Sequence, residues 1–152
     1  MCDMRKLMEL QLNATPEEVM RAVDSLCTFG RELGLGEREL FRLAIILEEC
    51  SSNIVKHGLR GDPEGKFSVV IEHADVELSI ELRDQGPEFD PTRVAEDRQQ
   101  EAERSGGWGL DLVRHYTDQM QYRRDQGENI LRLTKKVGKS GPGHPFADSA
   151  IP

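Results

Sequence analysis

The sequence predicts one α+β domain, and three observations carry that prediction. Residues 5–59 hold an opening strand and two helical periods. Two pairs of short alternating segments follow, each joined by turn residues. A charge-dense segment and a glycine run separate those pairs. The length of 152 residues suits a single domain with a real core. We expect 1–137 to form it, with 138–152, rich in Gly, Pro and Ser, as a flexible C-terminal tail.

Taken in order, Arg5 to Asn13 place Leu10 and Leu12 on one face of a strand. Thr15 then stands as N-cap, Pro16 at the first helical position, and Glu17 and Glu18 in the first turn. The Thr15-x-x-Glu18 spacing also fits a capping box. Val19, Val23, Leu26, Cys27 and Leu33 keep a helical period until Gly34-Leu35-Gly36. A second, longer helix is expected from Glu37 to about Leu59, and Arg60 to Gly65 is turn chemistry throughout. Lys66–His73 and Val76–Arg83 predict two strands around a hairpin at Ala74-Asp75. In the second of these, Val76, Leu78, Ile80 and Leu82 alternate with Glu77, Ser79, Glu81 and Arg83, the pattern of a half-solvated strand. Arg93–Arg104 is charged enough for a loose helix or mobile lid. Leu110–Tyr116 predicts a short helix, and Asp118–Arg124 with Asn129–Val137 a last hairpin.

Composition removes several function classes. With 20 basic and 28 acidic residues the net charge is −8, the wrong sign for a protein that binds by neutralising a phosphate backbone. A protein is the more natural large partner, and no direct nucleic-acid contact is expected. No apolar run approaches the roughly 20 residues that cross a bilayer. The first residues also lack a hydrophobic secretion signal, so no membrane contact and a cytoplasmic location are expected. Cys2, Cys27 and Cys50 have neither an even count nor metal-like spacing, and Cys27 and Cys50 are expected to pack as small apolar groups.

Three stretches carry candidate chemistry. The first is Leu47-Glu48-Glu49-Cys50-Ser51-Ser52-Asn53-Ile54-Val55-Lys56-His57-Gly58. Side chains four apart share a helix face, so Glu49, Asn53 and His57 line up, with Lys56 beside them. Mg2+ takes hard oxygen ligands and keeps several waters, so the Asn53 carbonyl plus phosphates would suffice to hold it. Glu49, one turn earlier, would accept or position the proton of an incoming hydroxyl. The plainer alternative is a polar helix end facing water, with His57-Gly58 as its cap. The second stretch, Asp84-Gln85-Gly86-Pro87, ends a strand in a carboxylate that can accept an adenine amino hydrogen while the base lies against Gly86. Taken alone, these residues are better read as an ordinary turn. In the third, Ser105-Gly106-Gly107-Trp108-Gly109-Leu110, backbone N–H groups ahead of a helix can converge on an anion. It is not a Rossmann loop, because a charged segment and not a strand precedes it.

In this order the three stretches resemble the N, G1 and G2 boxes of the GHKL (Bergerat-fold, histidine-kinase-like) ATP-binding superfamily, over roughly Arg5 to Val137. Glu49 to Gly58 is most similar to the bacterial anti-sigma-factor serine/threonine kinases. That resemblance implies a two-layer α/β sandwich, a mixed, mostly antiparallel sheet packed on helices. It implies ATP and Mg2+ as cofactors and phosphorylation of a serine on a STAS-type anti-sigma-factor antagonist. It further implies sequestration of a sigma factor, commonly by a kinase homodimer. Carried over by position, Glu49 matches the catalytic carboxylate and Asn53 the Mg2+ ligand. Asp84 and Gly86 match the adenine-reading pair. Gly107 and Gly109 match the phosphate loop, with Arg104, Gly106 and Leu110 beside them and His57 near the phosphates. The sequence departs from D-x-G-x-G in carrying Glu88 at the last glycine, which bears on the floor of the adenine pocket. The alternative function is an ATP-binding module that sequesters a protein without phosphotransfer.

Overall fold

A computed structural model describes residues 5–93 and 109–137. Five strands form one sheet in the order β1-β2-β3-β5-β4: β1 Lys6–Asn13, β2 Lys66–Ala74, β3 Glu77–Asp84, β4 Gln119–Asp125 and β5 Glu128–Lys136. All four ladders are antiparallel. Helices α1 (Pro16–Glu32), α2 (Glu37–Asn53) and α3 (Gly109–Tyr116) supply the second layer. The expected α+β sandwich of sheet on helices is the architecture found. Arg104, Gly106, Gly107, Trp108, most of the expected lid and the 138–152 tail lie outside the described residues.

Register explains why one face of the sheet is apolar. Leu10, Val69, Leu82, Leu131 and Tyr122 sit opposite one another across all five strands, and Met8, Ile71, Ile80, Leu133 and Met120 make the next row. Side chains alternate faces along a strand, so both rows point to the same side. There they cluster with Val19, Ala22 and Leu26 of α1, Leu43, Ile46, Leu47 and Cys50 of α2, and Val113 of α3. Leu47 is fully buried, and truncating such a leucine costs about 2–5 kcal/mol. The outer face carries charge instead, with Arg83 between Glu81 and Glu128.

The local signals act as expected. Thr15 Oγ1 accepts from Glu18 N at 3.2 Å, while the Glu18 carboxylate reaches back past Thr15 to Asn13 N at 3.4 Å. The last hairpin turns through Gln126 (φ 48) and Gly127 (φ 79), two left-handed residues in succession that suit the twist of the flanking strands. One element differs. The α-helical hydrogen bonding of α2 stops at Asn53, and Ile54–Gly58 continues as a π-helical turn. The wider turn closes with Leu59 N on Ile54 O at 2.7 Å, and Arg60 (φ 53) and Gly61 (φ 73) then leave the helix. π turns in helices are frequent at functional sites.

Candidate nucleotide site

The third core-facing row, Leu12, Phe67, Asp84, Asn129 and Arg124, runs from apolar to polar across the sheet. Asp84 closes β3 and is 5% exposed. Its Oδ1 accepts from Gly86 N at 2.9 Å and from Asn129 Nδ2 at 3.0 Å. No described residue bonds Oδ2, which leaves that oxygen to accept from a ligand. The spacing Asp84-x-Gly86 therefore has a steric cause as well. A Cβ on Gly86 would stand 2.1 Å from the carbonyl oxygen of Gly58. The turn after β3 crosses directly over the end of the α2 stretch, and only a glycine passes there.

Asn129 is the hub that sequence reasoning missed. Its Oδ1 accepts from Tyr122 Oη (2.6 Å), Arg124 Nη1 (3.0 Å) and Phe89 N (3.2 Å). Its Nδ2 donates to Asp84 Oδ1 and to Pro87 O (2.9 Å). Donors surround one end of the carboxamide and acceptors the other, so its orientation is fixed. Arg124 also donates to Gly86 O at 2.7 Å, pinning the turn from outside. Burial, and then the negative charge of Glu88, push the Tyr122 phenol up, so its hydroxyl stays a donor. Glu88 itself is exposed. Its substitution for glycine puts charge beside the pocket and does not fill the floor. A signal for Asn129 was present: it is a polar residue at a core-facing position of the alternation Asn129-x-Leu131-x-Leu133.

A narrow apolar cavity opens beside this row, lined by Cys50, Asn53, Leu82, Phe89, Pro91 and Leu131 among others. Burial, then the charge of Glu49, push the Cys50 thiol up to about 12, so it is a neutral wall and not a nucleophile. Asn53 reaches the cavity from the last turn of α2. Its Nδ2 is buried and has no hydrogen-bond partner among the described residues. A buried amide costs free energy until something pairs it. The missing partner of this N–H donor is an acceptor such as a phosphate oxygen, while Oδ1 of the same carboxamide is the hard oxygen that would hold Mg2+.

Glu49 sits one turn before Asn53 on the same half-buried flank of α2. The π turn carries His57 out of α-helical phase with both. Its ring stacks on Phe89 instead, with centroids 5.5 Å apart and planes at 22°. Gly109 and Leu110 open α3, whose Val113 is anchored in the core. The structure thus brings Asn53 and Asp84 to one cavity, with Gly86 bonded to Asp84 beside it and Glu49 on the adjoining flank. Arg104, Gly106 and Gly107 fall outside the described residues.

A sheet whose exit strand presents a carboxylate to a narrow cavity, flanked by an Asn-bearing helix, is an arrangement that accords with nucleotide binding. The chain belongs to the histidine kinase-like ATPase domain family, whose model matches residues 12–135. Among its relatives, the serine-protein kinase RsbW of Listeria innocua is 29% identical over 148 residues, covering 91% of this chain and 92% of the relative. The anti-sigma F factor of Bacillus cytotoxicus is 30% identical over 146 residues, covering 90% of this chain and 97% of the relative. Among solved structures, the RsbU and RsbW domains of a Mycobacterium tuberculosis protein superpose with a TM-score of 0.65 at 17% identity. That match covers 91% of this chain but 34% of the solved one, and it supports the fold.

Proposed function

We infer that this chain is an ATP-dependent serine/threonine protein kinase of a partner-switching system. It phosphorylates a STAS-type anti-sigma-factor antagonist and sequesters a sigma factor when the antagonist is absent. The observation that carries the reading is the pairing of Asp84, oriented by Asn129, with Asn53 in one cavity. One group reads the base and the other faces the phosphates. Relatives spanning more than nine-tenths of their own length are named as serine-protein kinase and anti-sigma factor, which supports the direction of transfer and the class of partner. No described helix is long and apolar enough to cross a membrane, and a cytoplasmic homodimer accords with the reading.

The chemistry asked of the protein is mostly positioning. Asp84 Oδ2 accepts from the adenine amino group, while guanine would present a carbonyl oxygen to the same carboxylate and be repelled. Asn53 would hold Mg2+, which supplies charge neutralisation on the polyphosphate. The antagonist's serine oxygen bonds to the γ-phosphorus as the bond to the β–γ bridging oxygen breaks. Glu49 takes the hydroxyl proton, and ADP leaves. Arg104, Gly106, Gly107, Gly109 and Leu110 are assigned to the phosphate end, whereas His57, whose ring lies on Phe89, is not.

The test is phosphotransfer from labelled ATP to the cognate antagonist. Glu49→Ala should lower the rate by about 10²–10⁴-fold while ATP affinity stays near that of the parent. A Glu49→Ala variant that labels the antagonist as fast as the parent would remove Glu49 from the reaction. A parent that binds ATP and transfers nothing would make the chain a sequestering module.

A further inference from the structure

A lysine stands where the sheet should be apolar. Along β5 the core-facing positions are Asn129, Leu131, Leu133 and Lys135, and Lys135 lies in register with the buried Leu78. Its side chain is 13% exposed. A charge so placed is costly unless partners hold it. Nζ donates to the carbonyl oxygen of Tyr116, the last residue of α3, at 2.9 Å. It also lies 3.3 Å from Glu39 Oε1 on α2. Arg42, on the next turn of α2, sets its guanidinium 5.4 Å from the centre of the Tyr116 ring, within cation–π range.

We propose that Lys135, steadied by Glu39, is a positioning residue for the triphosphate end of the nucleotide site. This rests on the nucleotide reading given above. Helix α3 has 8 residues, too few to hold its own shape in water. Val113 and the half-buried Tyr116 hold it against the core, and Arg114 donates to the carbonyl oxygen of Thr92. Lys135 adds a hold on its last carbonyl. It satisfies a terminal carbonyl, and its charge suits the negative end of the helix dipole. The opposite end of α3 is the one the glycine run feeds. Glu39 ties the same lysine to α2, which carries Glu49 about three turns and Asn53 about four turns further on. The two elements that flank the phosphates thereby become one frame. The base row is held separately, through the bonds of Asn129 to Asp84, Tyr122 and Arg124, and no described contact joins it to Lys135.

Calorimetric titration of adenosine and of Mg-ATP into the parent, Lys135→Met, Glu39→Gln and the double variant tests this. Amide hydrogen exchange over 109–116 in the nucleotide-free chain provides a second readout. Lys135→Met should bind Mg-ATP about tenfold more weakly and adenosine within about twofold of the parent. Glu39→Gln should shift in the same direction, the double variant should be no worse than Lys135→Met, and Lys135→Arg should recover most of the loss. Exchange in α3 should quicken while that of residues 54–58 does not. Equal losses for adenosine and Mg-ATP would make Lys135 general support for the fold and overturn the proposal. Unchanged ATP affinity with unchanged α3 exchange would also overturn it. A parent that binds neither ligand sinks the nucleotide reading and the binding role with it, while α3 exchange still reports whether the tether exists.

Discussion

The core-facing side of the sheet is apolar through its middle rows and polar at both ends, and the two ends are built on different principles. At one end Asp84, Asn129 and Arg124 form a row in which the Asn129 carboxamide and one oxygen of Asp84 are bonded within the protein, while the second Asp84 oxygen has no partner among the described residues. At the other, Lys135 uses its charge on Glu39 and on the Tyr116 carbonyl. The first end leaves an acceptor over for a ligand, and the second spends its polarity on holding two helices together. A buried polar group thus has a meaning that depends on whether its bonding capacity is exhausted.

Substitutions along the first end should sharpen that contrast. Asp84→Asn keeps the shape of the side chain and removes the charged acceptor, so ATP affinity should fall by about 10–100-fold, in proportion to a charged hydrogen bond. Thermal stability should change little, because Asn129 and Gly86 still find an oxygen; a matched pair of titration and melting curves reads both. Asn129→Ala should instead lower both quantities. It strands the Tyr122 hydroxyl and Phe89 N–H, a cost of roughly 2 kcal/mol in urea unfolding. If Asn129→Ala affected affinity alone, the hub would be a ligand contact and not the support of Asp84.

Gly86→Ala probes the crossing of the turn over the helix end. The added Cβ meets the Gly58 carbonyl, which is backbone and cannot swing aside, so the loss should be about 1–3 kcal/mol in the same unfolding assay. An unchanged midpoint would mean that the two segments are not in contact.

An effect confined to alkaline pH concerns Cys50 beside the base row. The unfolded thiol ionises from about 8.5, while the folded one keeps its proton to about 12. The folded state therefore binds the extra proton in that interval. The stability this confers is complete below the unfolded value and fades as pH rises toward the folded one, by at most about 1.4 kcal/mol per pH unit. Cys50→Ala should flatten the alkaline limb of the stability profile relative to the parent. Parallel limbs would show that the thiol is not buried as described.

The two ends also differ in how far the sequence announced them. Asp84-x-Gly86 and Glu49-x-x-x-Asn53 are local spacings, and a reading of periodicity finds them without knowing the sheet. Asn129 and Lys135 acquire their meaning from strand register, through pairs 45 and 57 residues apart (Asp84 with Asn129, Leu78 with Lys135). Polar residues at apolar positions of β5 were visible, but their partners were not. The strands, both hairpins and the Thr15 cap followed from alternation and turn residues. The π turn at Ile54–Gly58 did not, because an apolar Ile-Val followed by Lys-His suits an α-helix equally well. His57 was accordingly placed in line with Asn53, whereas its ring is on Phe89.

The central claim is that the orphaned Asn53 carboxamide and the oriented Asp84 carboxylate serve the two ends of one ligand. Its most direct test is the dissociation constant for ATP, with and without Mg2+, in the parent and in Asn53→Ala. Mg2+ should tighten ATP binding to the parent and leave Asn53→Ala nearly indifferent to the metal, with both binding adenosine alike. An equal response to Mg2+ in the two proteins would contradict the account.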